Sequence, residues 1–162
     1  MNYLKHCLWV VILLAAESTF AQSIQFRDLI GTWHVYKQEL KGQTILDIAN
    51  PGLIDQSVMQ QLRRKNPAYT SVDSIKAISR SHQYAEGVKN VYNKYEENGK
   101  MESIGPDGKP YNATYKLNDT TGELLVHREG TSKPEIHHIK IYNNIMEDRI
   151  MALPEMVFYW KK

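Results

Sequence analysis

From Val88 to the C-terminus the chain is a succession of short strand-like segments separated by turn-forming residues. The turns include Asn98-Gly99, which is the strongest two-residue hairpin signal because both positions tolerate positive φ, and the pair Asn143-Asn144. With an earlier segment that holds Trp33, the predicted strands span residues 32–40, 88–97, 100–104, 112–117, 123–129, 136–142, 146–153 and 157–161.

Eight strands joined in sequence order by short links pair with their chain neighbours, and a sheet of that size leaves two exposed edges unless it closes. Closure predicts an all-β fold, an eight-stranded up-and-down antiparallel β-barrel of the lipocalin-like type. A β-sandwich is the alternative, although it usually needs longer crossing connections. A further segment at residues 44–48 is expected to pair with the first strand.

A small helical insertion at about residues 50–86 separates the first strand from the remaining meander. The first of its two short helices begins at Asn50-Pro51 and stops at Asn66-Pro67, since proline suits the first helical position and disfavours a helical residue before it. The second helix spans residues 71–86, with Gly87 as its end. The apolar stripes of the two helices comprise Ile54, Val58 and Leu62, and then Ile75, Ile78 and Ala85.

Residues 1–21 have the pattern of a secretory signal peptide, with Lys5 before a compact apolar run and small residues up to Ala21. The run is shorter than the roughly 20 residues of a spanning helix, so cleavage after about Ala21 is expected and a retained membrane anchor is the weaker alternative. Cys7 is the only cysteine and leaves with the signal. We therefore expect one domain at residues 22–162, secreted or periplasmic and held together by its core without disulfides.

The stretch Gly31-Thr32-Trp33 lies where the first strand enters the predicted barrel. Glycine permits a sharp backbone turn at that point, and an inward tryptophan fills the wide end with one rigid ring system. Gly31 and Trp33 are therefore predicted to form a structural plug at the base of the barrel.

Four short motifs make the chain resemble a known family. LIGTWHV at residues 29–35 is similar to the Gly-x-Trp signature of lipocalins, and the chain as a whole resembles the small secreted lipocalin-like (calycin-type) domains of Bacteroidetes. The other three motifs are YEENGKM at 95–101, ATYKLNDTTGELLV at 113–126 and FAQ at 20–22. The helical insertion departs from a plain lipocalin, which joins its first two strands by a loop.

The resemblance implies an internal cavity, and alternation along the strands predicts which side chains line it. Residues that alternate on one face are expected to point inward, although a shift of one residue would invert the assignment. The predicted ligand-binding residues are Asn93, Tyr95, Tyr115, His137 and Ile139, flanked on the same faces by Val91, Ala113, Leu117 and Ile141. Since the second helix lies where a lipocalin has its mouth-covering loop, Ile75 and Ile78 are predicted to belong to a lid.

No catalytic or metal-binding motif stands out in the sequence. There is no Gly-x-Ser-x-Gly elbow, and adjacent His137 and His138 point to opposite faces of one strand, so they cannot share one metal ion. A pairing of His127 with one of them across a hairpin is the remaining metal alternative. We expect no enzyme activity, no cofactor and no bound metal.

Two functional hypotheses follow. The first is a secreted binding module for a small, mainly apolar molecule, and the second is a structural or protein-interaction module whose barrel core is filled by side chains. An eight-stranded barrel has room for either arrangement. The net charge of +2 gives no reason to expect a nucleic acid or a membrane surface as partner.

Overall fold

Nine antiparallel strands and three helices make up residues 24–65 and 71–162, the part of the chain that a computed structural model of the protein describes. The predicted signal peptide and the predicted stop at Asn66-Pro67 lie outside these residues. The helices are α1 (Phe26–Leu29), α2 (Gly52–Lys65) and α3 (Ser71–Val88). The strands are β1 (Gly31–Leu40), β2 (Gln43–Asp47), β3 (Tyr92–Tyr95), β4 (Lys100–Ile104), β5 (Pro110–Asn118), β6 (Glu123–Arg128), β7 (Glu135–Tyr142), β8 (Ile145–Ile150) and β9 (Met156–Lys161).

The sheet closes because β1 pairs with β9 as well as with β3. One edge of β1 is shared by two strands: β3 pairs with its first half, Gly31 to His34, and β2 pairs with its second half, Lys37 to Leu40. All other pairs join strands that follow each other along the chain. The predicted closed eight-stranded antiparallel barrel is therefore confirmed, with β2 as one additional strand.

An irregularity in β1 changes which of its side chains enter the barrel. In the pairing with β9 the register shifts between Val35 and Lys37, so that Tyr36 is the extra residue of a β-bulge. Trp33 and Val35 are buried before the bulge, and Gln38 is buried after it. The bulge thus moves the inward face from odd-numbered to even-numbered positions and places a polar amide inside the barrel.

The base of the barrel is closed by α1 and Trp33. The Trp33 side chain is fully buried, and its indole Nε1 donates a hydrogen bond to the Leu29 carbonyl over 2.7 Å. Gly31 has a φ of 123°, a backbone conformation that residues other than glycine rarely adopt. At the same end Phe26 of α1 stacks on Tyr115, with ring centroids 6.0 Å apart. The first turn of the described chain therefore seals this end with aromatic and aliphatic groups.

The C-terminal turn of α3 packs against the opposite end of the barrel. A Cβ atom on Gly87 would lie 2.9 Å from the Pro106 carbonyl oxygen in the β4–β5 turn, a distance that real Cβ atoms essentially never show. The prediction that Gly87 ends the helix is wrong, since α3 continues to Val88 and the Lys89 amide still bonds to the Ala85 carbonyl. The glycine permits a close approach of helix and turn, and the following strand begins only at Tyr92.

The two asparagine-containing turns differ from each other. Asn143 and Asn144 have φ values of 49° and 59°, as a two-residue hairpin turn requires. At Asn98-Gly99 only the glycine has a positive φ, of 78°, and its amide bonds to the Glu96 carbonyl. The predicted two-residue turn at Asn98-Gly99 is therefore wrong. The turn spans residues 96–99, and Gly99 takes the left-handed position that follows it.

Candidate functional site

A cavity of about 420 Å³ lies inside the barrel at the end covered by α3. Its wall is mostly apolar, and it reaches the surface beside the β4–β5 turn, where Pro106 and Asp107 border it. Small-molecule sites typically enclose about 300–1,000 Å³, so the volume suits a small ligand. The apolar wall includes Val35, Val88, Val91, Met101, Val126 and Phe158.

The predicted ligand-binding residues are all buried, but only two of them border this cavity. Asn93 and His137 line it, whereas Tyr95, Tyr115 and Ile139 are buried away from it. Tyr95 and Tyr115 pack edge to face with centroids 5.1 Å apart. The Tyr115 hydroxyl donates to a turn carbonyl over 2.6 Å, and burial raises the pKa of Tyr115 to about 12. The two tyrosines therefore belong to the packed part of the core near the base.

A buried ion pair crosses the cavity wall between β7 and β8. His137 Nδ1 lies 2.8 Å from Asp148 Oδ1, and the side chains are 7% and 2% exposed. Because a carboxylate only accepts, this contact fixes the proton on Nδ1 and leaves Nε2 for another partner. His137 Nε2 is 3.5 Å from Glu135 Oε2, and Glu135 in turn pairs with Arg128 over 3.1 Å. One chain of charged groups thus runs from the interior to the rim.

The surroundings of His137 favour its protonated form. Burial acts to lower the pKa of His137, but the Asp148 carboxylate, with Glu135 behind it, outweighs burial, so the pKa is raised above the usual value of 6.5. A nearby negative charge stabilises an imidazolium, and the effect is strong where water is excluded. The pair carries no net charge when both members are ionised, so its presence is compatible with an otherwise apolar cavity.

Two residues that line the cavity each have a buried side-chain nitrogen without a hydrogen bond. Trp160 Nε1 and His137 Nε2 make no hydrogen bond among residues 24–65 and 71–162, although His137 Nε2 keeps its 3.5 Å ion-pair contact with Glu135. Both residues line the cavity, and they are 6% and 5% exposed. Native proteins leave few buried polar atoms without a partner, and each costs on the order of 1–3 kcal/mol when it is left so.

The mouth of the cavity is bordered by the last turns of α3. Tyr84 lines the cavity, and its hydroxyl lies 3.3 Å from both Oε1 and Nε2 of the buried Gln38 side chain on β1. Val88 lines the cavity from the end of the same helix. The predicted lid residues Ile75 and Ile78 do not border the cavity, and the Ile75 side chain is 67% exposed. Only the C-terminal end of α3 reaches the barrel, whereas its earlier turns lie beside α2.

The cavity wall contains part of an arrangement that is known from nucleophilic catalysis. A histidine held by a carboxylate resembles the base of a nucleophilic pair, and Ser103 also borders the cavity. In the described residues, however, the Ser103 hydroxyl makes no hydrogen bond to His137, whose Nδ1 is already held by Asp148. Within the same residues no three His, Cys, Asp or Glu side chains are grouped to hold a metal ion. His127 is exposed, on the outer face of β6.

Sequence reasoning did not identify Asp148, Gln38, Tyr84 or Trp160 as cavity residues. The partner of His137 could have been found, because a two-residue turn at Asn143-Asn144 fixes the β7–β8 register and places Asp148 opposite Ile139, two pairs along from His137 and on the same face. Gln38 depends on the bulge at Tyr36, which has no sequence signal. Tyr84 depends on how α3 docks on the barrel, which alternation and periodicity do not specify.

Comparisons with known proteins establish the fold. No family model matches the sequence, and no curated protein matches it. The crystal structure of a DUF4847 family protein from Bacteroides vulgatus ATCC 8482 superposes with a TM-score of 0.54, at 10% sequence identity, and covers 81% of this chain and 91% of its own. At that identity the likeness extends to the fold alone.

Within the described part of the chain, no helix combines the length and apolarity that crossing a membrane requires.

Proposed function

We propose that the protein is a binding module that holds a small, mainly apolar molecule inside the barrel, and that it has no catalytic role. The observation that carries this proposal is the cavity of about 420 Å³, which is walled mostly by apolar side chains and has a few buried polar groups. Small-molecule sites combine apolar walls with a few placed polar groups in the same way. The resemblance of LIGTWHV at residues 29–35 to the lipocalin signature supports the same function.

Binding is tested by titrating the folded protein with a fluorescent polyene fatty acid and with a panel of retinoids, sterols and haem. Trp160 lines the cavity and Trp33 does not, so an occupant should quench or shift the Trp160 emission. Saturation at micromolar concentration would correspond to about −8 kcal/mol.

A matched pair of variants locates the site. Val126→Phe adds a ring to the cavity wall and should weaken binding at least about tenfold, a loss of about 1.4 kcal/mol, while stability is retained. Leu125→Phe adds the same ring on the neighbouring outward-facing position and should leave binding unchanged. If no probe gives a saturable change with folded protein, the binding function is wrong and the alternative, a structural or protein-interaction module, takes its place.

We propose in addition that the protein acts outside the cytoplasm, in the periplasm or the medium. The support is the short apolar run before Ala21 and the lack of cysteine in residues 22–162. N-terminal sequencing of protein recovered from periplasmic or culture fractions should begin at Gln22. Recovery of the intact chain in the membrane fraction would contradict this location.

A further inference from the structure

The two unsatisfied nitrogens lie at different depths of the barrel. On β8 the inward residues are Met146, Asp148 and Ile150, and they are paired with Trp160, Phe158 and His137 respectively, on the strands at either side. Trp160 thus lies on the row nearest the base, and His137 on the row nearest the mouth. The two rows are four residues apart along β8, which corresponds to roughly 13 Å at about 3.4 Å per residue.

The cavity that both residues line therefore extends over the rows from Trp160 to His137, and a molecule that fills it is elongated and meets the two residues with different parts. His137 belongs to the charged chain that ends at the rim, where Arg128 pairs with Glu135. Trp160 has no such neighbour, since the residues paired with it are Val35 and Met146, both apolar and buried. Trp160 therefore restricts the chemistry of a ligand more than His137 does.

The chemistry of indole restricts what can bind to Trp160. Its Nε1–H is a donor only, so the missing partner is a hydrogen-bond acceptor. The surrounding row has no cation to neutralise a carboxylate, and the desolvation of an unpaired anion is far more costly than that of a neutral oxygen. A ketone, aldehyde, ester or hydroxyl oxygen is a neutral acceptor and satisfies both conditions.

We propose that the cavity binds an elongated, uncharged, mainly apolar molecule whose inner end carries a hydrogen-bond acceptor oxygen, and that this oxygen accepts from the Trp160 indole N–H. The proposal rests on the binding function proposed above and specifies the class of ligand. The apolar body lies against Val126 and Phe158, and the outer end lies near His137 at the mouth.

The test compares two probes that differ at one carbon. The first is 6-propionyl-2-(dimethylamino)naphthalene, an elongated uncharged ketone, and the second is its 6-propyl analogue, which has CH₂ in place of the carbonyl. The ratio of their affinities is measured for the parent and for Trp160→Phe, which keeps an aromatic ring and removes the N–H. The preference for the ketone should fall about tenfold in the variant, equivalent to about 1.4 kcal/mol. Loss of ring volume affects both probes and cancels in the ratio.

Tyr159→Phe is the matched control, because Tyr159 is the adjacent residue of β9 and its hydroxyl bonds to Glu39 outside the cavity. The affinity ratio should not change in this variant. A second measurement uses the parent protein alone, so it does not depend on the stability of a cavity variant. In ¹⁵N-labelled protein the ketone should shift the Trp160 indole N–H resonance, the propyl analogue should not, and Trp33, already bonded to Leu29, should respond to neither.

The outcomes separate the two proposals. If both probes bind the parent and the ratio is the same in Trp160→Phe, or the Trp160 resonance responds equally to both probes, the acceptor proposal is overturned and the binding function stands. If neither probe binds to folded parent protein, both proposals are overturned.

Discussion

The same substitution at two buried tryptophans should have different effects on stability in the absence of ligand. Trp33 is fully buried and Trp160 is 6% exposed, so burial hardly distinguishes them. Their indole nitrogens differ, because Trp33 Nε1 donates to the Leu29 carbonyl over 2.7 Å and Trp160 Nε1 has no partner in the described residues. Tryptophan to phenylalanine removes the N–H and part of the ring at either position.

At Trp33 the two losses add. Replacement of the larger ring leaves a gap in a packed base, and the Leu29 carbonyl loses its buried donor, which by itself costs about 1–3 kcal/mol. Removal of a whole buried aromatic side chain costs about 3–5 kcal/mol, and the smaller ring avoids part of that. We expect Trp33→Phe to lower the free energy of unfolding by about 2–4 kcal/mol.

At Trp160 the two changes oppose each other. The smaller ring enlarges a cavity that already exists, and removal of an unsatisfied donor recovers about 1–3 kcal/mol of desolvation. We therefore expect Trp160→Phe to lie within about 1 kcal/mol of the parent. The two variants should differ by at least about 1 kcal/mol, and by about 3 kcal/mol at the centres of the two ranges, most of it from the indole N–H.

Urea unfolding followed by far-ultraviolet circular dichroism measures this difference. For a domain of this size the urea dependence is about 1–3 kcal/mol/M, so a difference of about 3 kcal/mol separates the midpoints by at least about 1 M. The dependence on urea should be the same for both variants, which shows that the folded and unfolded states are otherwise comparable. Equal midpoints for the two variants would refute the assignment of a paired N–H to Trp33 and an unpaired one to Trp160.

Three further predictions follow from the helix, the mouth and the ion pair. Gly87→Ala gains about 1 kcal/mol of helix propensity but forces a Cβ against a backbone oxygen, so thermal unfolding should show a net loss of stability of about 1–2 kcal/mol. Tyr84→Phe removes the hydroxyl that meets β1 at the mouth and should speed probe release in stopped-flow experiments, whereas Ile75→Ser, on an exposed position, should not. Because the pKa of His137 is raised in the folded state by Asp148, its proton-linked stability is complete below the unfolded pKa and is lost as pH rises through the folded one. As pH rises above about 6.5, urea unfolding should therefore show the parent losing more stability than His137→Gln, and equal slopes would contradict this account.

The barrel could be predicted because the residues that specify each hairpin lie close together in the sequence. Turn residues such as Asn143-Asn144 mark each hairpin, and strand alternation has a period of two, so the inward faces could be assigned once the strands were known. The structure buries Val91, Asn93 and Tyr95 on β3 and the residue just before it, and His137 and Ile139 on β7, as the alternation predicted. Closure followed from the number of strands and the shortness of their connections.

The composition of the cavity was not predictable, because it depends on contacts between distant elements. The bulge at Tyr36 brings Gln38 inward, and a bulge of this kind has no signature in the composition of the strand. The stripe through Ile75 predicts which face of α3 is apolar. It does not predict which surface that face contacts, and the Ile75 side chain is exposed. Alternation likewise identified inward tyrosines, but it could not tell the packed base, where Tyr115 lies, from the open end.

The closure of the barrel by β1 and β9 joins parts of the chain that are far apart in sequence. The Tyr159 hydroxyl reaches Glu39 across 120 residues of chain, and Lys162 at the C-terminus donates to the carbonyl of Asp28 in α1 across 134. Hairpins from β3 to β8 need only short loops and can form early, whereas bringing the two ends of the chain together carries the largest loop-closure entropy of the fold. We therefore expect the pairing of β1 with β9 to form after the hairpins from β3 to β8. Because β9 supplies Phe158 and Trp160 to the wall, the cavity is complete only when β9 has paired with β1 and β8.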